Sequence, residues 1–196
     1  MVKILIYIKH HLSFIWTFIE WCNAVLFNML YGRKLKKNLA PLMENPILGF
    51  ECKKLEKGDM QALETFFEKQ PESAYTFFKP HGFDLKSLQK KNKDKSFIMI
   101  GLFDKERIVG YCFLRCFFNK QSFRGKIVDV DYQGRGIAKQ MGILTTSICA
   151  ALNFRLFATI SKDNVKSIAS SKAVNEVKIL KELPDDYLYV EYLLKK

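Results

Sequence analysis

The sequence predicts an α/β fold of the α+β type: a mixed, largely antiparallel sheet with one parallel pair of strands, preceded by an apolar helical extension. The first observation is a long apolar stretch of helical character that precedes residue 49. The second is a pair of apolar runs on either side of a tight turn at residues 104–106, which indicates a hairpin. The third is a strand–helix–strand pattern over residues 126–160, whose crossover predicts that the two strands are parallel.

The composition is that of a folded chain with a basic surface. The chain has 196 residues, of which 48% are apolar and 27% are charged, as in globular proteins. The 32 Lys and Arg outnumber the 20 Asp and Glu, which gives a formal charge of +12. Such a charge favours anionic partners, or it belongs to a solvated, lysine-rich surface with no specific partner. No stacking motif of aromatic and basic residues supports nucleic-acid binding, so no nucleic-acid partner is predicted.

The N-terminal apolar stretch, residues 12–31, approaches the length of a membrane span and contains one charged residue, Glu20. A spanning helix has no need of a polar stripe, whereas a helix on a membrane surface or on a protein does. Three interpretations stay open: a helix docked within the protein or in a homodimer, an interfacial anchor, and a true span. Most of the polar residues lie along one stripe of the helix: Ser13, Thr17, Glu20, Asn23 and Asn28.

A basic cluster follows this stretch and is suited to anionic headgroups: Arg33, Lys34, Lys36 and Lys37. No small-residue cleavage site follows it, so a cleaved signal peptide is not expected. We therefore expect a cytoplasmic protein whose residues 1–37 contact either the inner face of the membrane or a second copy of the chain.

A linker is predicted from Asn38 to Gly49, because two prolines and a glycine interrupt it. It divides the chain into an N-terminal helical extension with its linker, residues 1–48, and a compact domain, residues 49–196. The domain begins with a short strand near residues 50–55. Three short helices follow, near 59–67, between Pro71 and Pro80, and over 84–91, with Asp59 expected to cap the first.

The rest of the domain alternates between strands and helices. Strands are predicted at 96–103, 107–118, 126–131, 154–160, 176–183 and 187–194, with a polar turn at 119–125. Helices are predicted from residue 137 to about 153 and from Asp163 or Asn164 to about 174. The first of these has one apolar face: Ile137, Met141, Leu144, Ile148 and Leu152.

The five cysteines are odd in number and form no C-x-x-C pair, so no metal site is predicted. Cys112 and Cys116 are four residues apart on a predicted strand, which places both on one face. Free, reduced thiols are therefore expected.

The turn between the strand at 126–131 and the following helix carries two glycines, in Gln133-Gly134-Arg135-Gly136-Ile137-Ala138. A strand that stops at such a turn and restarts as a helix aims unpaired N–H groups at one spot, at the positive end of the helix dipole. The glycines allow an anion to approach the backbone closely. The turn is therefore suited to a phosphate or pyrophosphate. It is neither a Rossmann fingerprint nor a Walker loop, because the further glycine and the G-K-S/T sequence are missing.

Residues 49–196 resemble the GNAT superfamily of acyl-CoA-dependent N-acetyltransferases, whose signature Q/R-x-x-G-x-G/A matches residues 133–138 at every fixed position. The resemblance implies that N–H groups of Gln133, Gly134, Arg135, Gly136, Ile137 and Ala138 hold the pyrophosphate of acetyl-CoA. It also implies that the parallel strands splay apart and that the pantetheine arm bonds to main chain near Val128 and Val130. Asn164 matches the family's Asn at the start of the next helix, with Ser167 following at the expected spacing; Asn164 is equally suited to a plain helix cap.

Acetyl transfer to an amine requires a proton acceptor, and the resemblance implies a carboxylate on or near the central strand. Asp129 and Asp131 are two apart in the predicted strand and so are expected to share a face, although Asp131 is also suited to capping the turn. The family's usual tyrosine acid falls on Ser171, which is a departure because a serine hydroxyl is a poor acid at neutral pH. Water, Tyr187 or Tyr189 could replace it, or the reaction could proceed without a specific acid.

The resemblance implies an N-acetyltransferase that uses acetyl-CoA and no metal. The basic surface and the N-terminal helix favour a nucleotide-linked amino sugar as the small amine acceptor. The alternative is a catalytically weak acyl-CoA-binding module that residues 1–37 recruit to a membrane or partner.

Overall fold

The computed structural model describes residues 12–44 and 47–195. Within these ranges lie seven strands: β1 (Glu51–Lys54), β2 (Phe97–Asp104), β3 (Arg107–Cys116), β4 (Gln121–Val128), β5 (Arg155–Ser161), β6 (Asn175–Leu183) and β7 (Tyr187–Leu194). The α-helices of the same ranges are α1 (Ser13–Met43), α2 (Met60–Glu68), α3 (Leu85–Asn92), α4 (Ile137–Leu152) and α5 (Val165–Lys172). Short 3-10 helices lie at Lys57–Asp59, Glu72–Tyr75 and Val130–Tyr132.

The strands form one sheet in the order β1–β2–β3–β4–β5–β7–β6. Neighbours are antiparallel except β4 and β5, which are parallel, so the predicted α+β fold is confirmed. The parallel pair is short: it spans only the three partners from Gln121↔Arg155 to Phe123↔Phe157. Beyond Phe123, β4 continues for five residues with β3 as its partner and without β5. The carboxyl half of β4 therefore has an open edge.

Two apolar cores cover the two faces of the sheet. The first lies under α1 and α4 and includes Phe27, Leu35, Met141 and Ile148. The second lies under α2 and α3 and is rich in aromatic rings, including Phe67, Phe97 and Tyr111. The strands alternate between the two cores, as the two-residue period of side chains requires. Cys112 and Cys116 both enter the first core, as predicted.

The predicted start and end of β4 are wrong. The strand begins at Gln121, in the stretch interpreted as a polar turn, and ends at Val128 instead of Asp131. The early start escaped prediction because Ser122 and Arg124 are polar yet buried, with hydrogen bonds inside the protein. The end differs because the chain turns into the 3-10 helix Val130–Tyr132, which the side chain of Asp129 caps.

The predicted linker is wrong over its first half, since α1 continues through residues 38–43 with Pro41 inside the helix. Leu35 and Leu39 are buried in the first core, and this packing holds the last turns. Pro41 has no N–H and so removes one intrahelical hydrogen bond. Only two helical residues follow it, so little of the helix is disturbed. The division at residue 48 stays a prediction, but α1 shares a core with the rest of the chain.

Two smaller predictions also differ from the structure. The helix predicted between Pro71 and Pro80 is a single 3-10 turn, Glu72–Tyr75. Asp59 does not cap α2 with its side chain but accepts the N–H of Glu56 at 2.8 Å.

The five cysteines are free, and four of them are buried. Burial raises the pKa of Cys52 to about 12 and that of Cys149 to about 11. In residues 12–44 and 47–195, no group of three His, Cys, Asp or Glu side chains is arranged to hold a metal ion. No helix of that part of the chain combines the length and apolar character needed to cross a membrane.

Candidate active site

The turn that links β4 to α4 has the left-handed backbone that its glycines predict. Gly134 and Gly136 have φ angles of +78° and +81°, values that side-chain-bearing residues rarely adopt. Gly136 occupies the N-cap position of α4, and no side chain caps this helix. The positive end of a 16-residue helix is therefore left open to an outside ligand.

Five consecutive amides in this turn lack an acceptor. In the described part of the chain, the N–H groups of residues 134–138 make no hydrogen bond, whereas those of Lys139 and Gln140 both bond to the carbonyl of Gly136. The Gln133 amide contacts the Val130 carbonyl at the long distance of 3.5 Å. The predicted anion site therefore has its donors in place.

Basic side chains surround these amides. The Arg135 guanidinium stacks over the ring of Tyr132 at 4.6 Å, and its Nη2 donates to the carbonyl of Asp131. Lys166, at the start of α5, places its Nζ 3.4 Å from Oε1 of Gln133. These cations add to the helix dipole at the turn, so the local field favours an anion.

The open edge of β4 begins where β5 departs. The Asp129 amide bonds to the Val109 carbonyl at 3.0 Å, so odd-numbered residues of β4 point their main-chain groups toward β3. By alternation, Lys126 and Val128 direct theirs to the open side. Val130 lies beyond the strand, and its N–H already donates to Oε1 of Gln70 at 3.1 Å.

Asn164 caps α5. Its Oδ1 accepts the N–H of Ser167 at 3.0 Å, so the interpretation as a helix cap is correct. The side-chain NH₂ of Asn164 is not used by this contact and stays available as a donor. Ser167 contributes its amide to this cap, and its carbonyl accepts the Ser170 hydroxyl at 3.1 Å.

Arg124 was not identified from the sequence, although it is buried at the centre of this region. Its Nη1 donates to the Gly142 carbonyl at 2.9 Å and to the hydroxyls of Thr145 and Thr146, while Nη2 donates to Oδ1 of Asn175. The guanidinium lies 3.7 Å from the centre of the Tyr192 ring. The hydrogen bonds of Arg124 therefore connect β4 to α4 and to β6.

Lys126 is the second residue that sequence reasoning missed. Its Nζ donates to the Ala138 carbonyl at 2.7 Å and to the Ser170 hydroxyl at 3.1 Å, so it bridges the first turn of α4 and α5. Burial, and next the nearby Arg124 cation, lower the pKa of Lys126 to about 7. Within residues 12–44 and 47–195, no carboxylate lies within 4.0 Å of either cation.

Asp129 and Asp131 do not share a strand face, contrary to prediction, because β4 ends before them. They are instead joined by Arg107, whose Nη2 lies 2.8 Å from Oδ2 of Asp129 and 3.2 Å from Oδ2 of Asp131. Asp129 is buried and also accepts the Asp131 N–H, whereas the Asp131 carboxylate is exposed. The turn therefore carries one buried carboxylate and one exposed carboxylate, both paired with Arg107.

Ser171 is buried, and its hydroxyl lies 3.2 Å from the Tyr192 hydroxyl. It therefore belongs to the polar cluster around Arg124. Its role as a proton donor stays a prediction.

Solved structures share this architecture, whereas no family model and no curated protein matches the sequence. The GNAT domain of S. lividans PAT is 14% identical, with a TM-score of 0.63 over 74% of this chain and 90% of that one. A PaiA N-acetyltransferase from Thermoplasma acidophilum in complex with coenzyme A is 12% identical, with a TM-score of 0.60 over 74% and 99%. Aminoglycoside acetyltransferase AAC(6')-Ib, in complex with coenzyme A and kanamycin, is 10% identical, with a TM-score of 0.57 over 74% and 94%.

This chain has the GNAT fold. The resemblance predicted from residues 133–138 is thereby confirmed, because the solved structures match this fold over 74% of the chain. At these identities the likeness concerns the architecture alone.

A cavity of about 350 Å³ lies on the α2 side of the GNAT fold, next to the end of β4. Its lining combines one apolar wall with side chains of both charges: Gln61, Ala62, Thr65, Phe66, Lys69, Glu106, Arg107, Ile108 and Asp129. Asp129 thus connects this cavity with the turn that starts the cofactor signature.

An aromatic cluster fills the space beside this cavity. His81 bonds through Nδ1 to the Gly82 carbonyl at 2.8 Å and through Nε2 to the Tyr111 hydroxyl at 2.9 Å. Burial lowers the pKa of His81, so the neutral ring is favoured. Phe67 is buried in the second core and the half-buried Phe78 packs against it, whereas Phe77 is exposed.

Proposed function

We propose that this protein is an acetyl-CoA-dependent N-acetyltransferase that transfers an acetyl group directly to a small amine. The observation that carries the proposal is the run of five free amides, residues 134–138, at the start of α4. Such donors at the positive end of a helix suit a pyrophosphate, and the adjacent open edge of β4 suits an arm that contains amides. The bound coenzyme A of two GNAT-fold structures supports the same assignment for this chain.

The residues present fit this cofactor. The amides of residues 134–138 would hold the pyrophosphate, with Arg135 and Lys166 adding positive charge. Lys126 and Val128 would bond the amide-bearing arm through their main chain, and Asn164 would donate its side-chain NH₂ to it. Acetyl-CoA supplies the acetyl group as an activated thioester.

The two aspartates divide the acid–base work in this proposal. Asp129 lines the cavity and is fixed by Arg107, so we assign it to orienting the amine. Asp131 carries the exposed carboxylate, so we assign it to accepting the ammonium proton, directly or through water. Main-chain N–H groups on the open side of β4 would stabilise negative charge on the acyl oxygen.

Lys126 would donate the proton that the leaving thiolate needs, in the role that Ser171 does not suit. A group with a pKa of about 7 carries a proton in half of the molecules at neutral pH and releases it readily. The ammonium also lies beside Arg124 with no carboxylate nearby in the described residues, so the pair stabilises negative charge in the cleft.

We further propose a nucleotide-linked amino sugar as the acceptor. The cavity beside Asp129 offers Gln61 and Thr65 to hydroxyl groups, and Lys69 and Arg107 to phosphate. A cavity with both signs of charge suits a ligand that carries an amine and a phosphate.

The second candidate function is an acyl-CoA-binding module with weak catalysis, recruited to a membrane or partner through its N-terminal helix. The position of the family's usual tyrosine acid favours this alternative, because Ser171 stands there and a serine is a poor proton donor. Its hydroxyl is buried beside that of Tyr192.

The test uses a matched pair of substitutions at Gly136. Gly136→Asp places a carboxylate among the free amides, whereas Gly136→Asn has the same shape and backbone strain but no charge. We expect acetyl-CoA to raise the melting temperature of the wild type and of Gly136→Asn, and to leave Gly136→Asp unchanged. If acetyl-CoA raised the melting temperature of Gly136→Asp as much as that of the wild type, the turn would not be the cofactor site.

A second measurement separates the two functions. Thiol release from acetyl-CoA, followed across nucleotide-linked amino sugars, simple amino sugars, polyamines and peptides, should be stimulated most by the first class. Turnover of only peptides or polyamines would reject the proposed acceptor. A thermal shift with no thiol release for any amine would favour the binding module.

A further inference from the structure

Two polar side chains in the first half of α1, Glu20 and Asn23, face the protein. Oε1 of Glu20 accepts from Nη2 of Arg115 at 2.9 Å and lies 3.9 Å from Nζ of Lys91. Asn23 donates to the Ser96 hydroxyl and the Cys116 carbonyl and accepts the Phe118 N–H, all within 3.1 Å. Glu20 and Asn23 therefore dock this part of the helix onto the protein, whereas Asn28 is exposed.

The opposite side of α1 carries large apolar side chains in solvent. The exposed fractions are 72% for Phe14, 61% for Phe18, 60% for Trp21, 36% for Val25 and 75% for Met29. Their spacings of 4, 3, 4 and 4 residues place them along one line of the helix. We call these five residues the outer apolar face. A monomeric soluble protein rarely leaves a continuous apolar strip of this kind uncovered.

The same helix then becomes basic. Arg33, Lys34, Lys36 and Lys37 are all exposed in the turns that follow Met29, and we call them the basic segment. The one carboxylate within residues 13–43 is Glu20, which faces the protein and is already paired. No acidic side chain of α1 therefore neutralises the basic segment.

We propose that the outer apolar face and the basic segment lie on the surface of an anionic lipid bilayer. Aromatic and aliphatic side chains would enter the boundary between headgroups and acyl chains, while the basic segment meets the headgroup phosphates and carboxylates. The helix lies in the plane of the surface, because no helix of residues 12–44 and 47–195 meets the length and hydropathy of a span.

Charge complementarity favours the bilayer over a second copy of this chain. In a twofold contact between two copies of α1, the basic segment would meet either itself or the apolar residues of its partner. Neither arrangement supplies an anion. An anionic bilayer supplies both an apolar layer and a dense negative surface, and the formal charge of +12 adds long-range attraction.

The experiment is vesicle flotation of the full chain, with phosphatidylcholine vesicles that either lack or contain roughly one third phosphatidylserine. We expect binding to the anionic vesicles and little to the neutral ones. Trp16→Phe leaves Trp21 as the single tryptophan, since the chain has two, and its emission should shift to the blue on binding. Acetyl-CoA is absent from the assay, so its result is independent of the proposed enzymatic function.

Two variants and one matched control identify the binding surface. Phe18→Ser/Met29→Ser should abolish flotation, whereas Ile179→Ser/Leu194→Ser, which removes equally exposed apolar side chains elsewhere, should not. Replacing Arg33, Lys36 and Lys37 by Gln should weaken binding to anionic vesicles by about 100-fold at low salt. All of these side chains are exposed, and an unchanged circular dichroism spectrum would verify that the variants fold.

Three outcomes would overturn the proposal. They are an absence of binding to anionic vesicles, equal binding by the wild type and the Phe18→Ser/Met29→Ser variant, and equal binding to neutral and anionic vesicles. A dimer in sedimentation that Phe18→Ser/Met29→Ser converts to a monomer, without vesicle binding by the wild type, would assign the surface to a second copy instead.

Discussion

The lowered pKa of Lys126 affects both the stability of the fold and the proton transfer proposed for this residue. The charged side chain is held between α4 and α5, where burial and then Arg124 disfavour the ammonium form. The pKa is about 7 in the folded protein against an ordinary value of 10.5. Between these two values the unfolded chain binds a proton that the folded chain does not, so the free energy of unfolding rises with pH in this window.

Replacing Lys126 by Met should remove this dependence. Between pH 7 and 9 we expect the wild type to gain about 2 kcal/mol of unfolding free energy relative to Lys126→Met. Urea unfolding at several pH values measures the difference. The control is Lys139→Met, which removes an exposed lysine from α4 and should leave the slope unchanged. A slope that stays the same in Lys126→Met would contradict the lowered pKa.

The same position tests proton transfer. If Lys126 donates to the leaving thiolate, Lys126→Met should lower kcat by about 10- to 100-fold while acetyl-CoA still raises the melting temperature. Lys126→Arg keeps the charge but does not release a proton at neutral pH, so it should also be slow. An Arg variant as active as the wild type would leave charge stabilisation as the sole role of Lys126.

Sequence reasoning found the glycines of the site but not its cations. Gly134 and Gly136 are visible because few other residues tolerate their φ angles. Arg124 and Lys126 lie in a stretch rich in polar residues, which is typical of an exposed turn. Their burial depends on acceptors from α4, α5 and β6, which are distant in sequence. A local pattern does not contain that information.

At the scale of the elements, α1 also has features that its local sequence does not predict. Its helical period and its polar stripe were predictable, but the direction of the stripe depends on partners more than 70 residues away. The helix also extends past its predicted end, because burial of Leu39 outweighs the helix-breaking tendency of Pro41. Tertiary packing decided both features.

Asn23 is the residue that should report on the docking of α1. Asn23→Ala leaves the Cys116 carbonyl and the Phe118 N–H without their partner, so we expect a loss of about 1 to 3 kcal/mol of unfolding free energy. Asn28→Ala, at an exposed position of the same helix, is the matched control and should change stability by less than about 0.5 kcal/mol. Urea unfolding measures both variants, and equal losses would mean that α1 is not held by this contact.

In the whole molecule, the sheet consists of two parts joined along a short seam. β1 to β4 form one antiparallel part and β5 to β7 form the other, and three residue pairs connect them. The β2–β3 hairpin and the parallel pair of β4 and β5 were predicted from the sequence, whereas the pairing of β5 with β7 was not. The length of the seam was not, because it depends on where β5 turns away from β4.

A ligand that bridges the seam should protect it from hydrogen exchange. We expect acetyl-CoA to slow exchange at the amides of residues 134–138 and also at Lys126 and Val128, which lie on the open edge. Mass spectrometry with and without acetyl-CoA measures this, with β1 as an internal reference that should not change. Protection limited to residues 134–138 would show that the arm of the cofactor does not enter the gap.

The burial of four cysteines means that this protein should react little with the thiol reagent of a colorimetric assay for coenzyme A. Because the pKa of Cys149 is about 11 and that of Cys52 is about 12, about one molecule in a thousand or fewer carries either thiolate at pH 8. Cys112 and Cys116 are buried as well, and burial raises both of their pKa values. A thiol reagent added to the reaction would therefore report mainly on released coenzyme A, and Cys22→Ser would remove the one cysteine that is partly exposed.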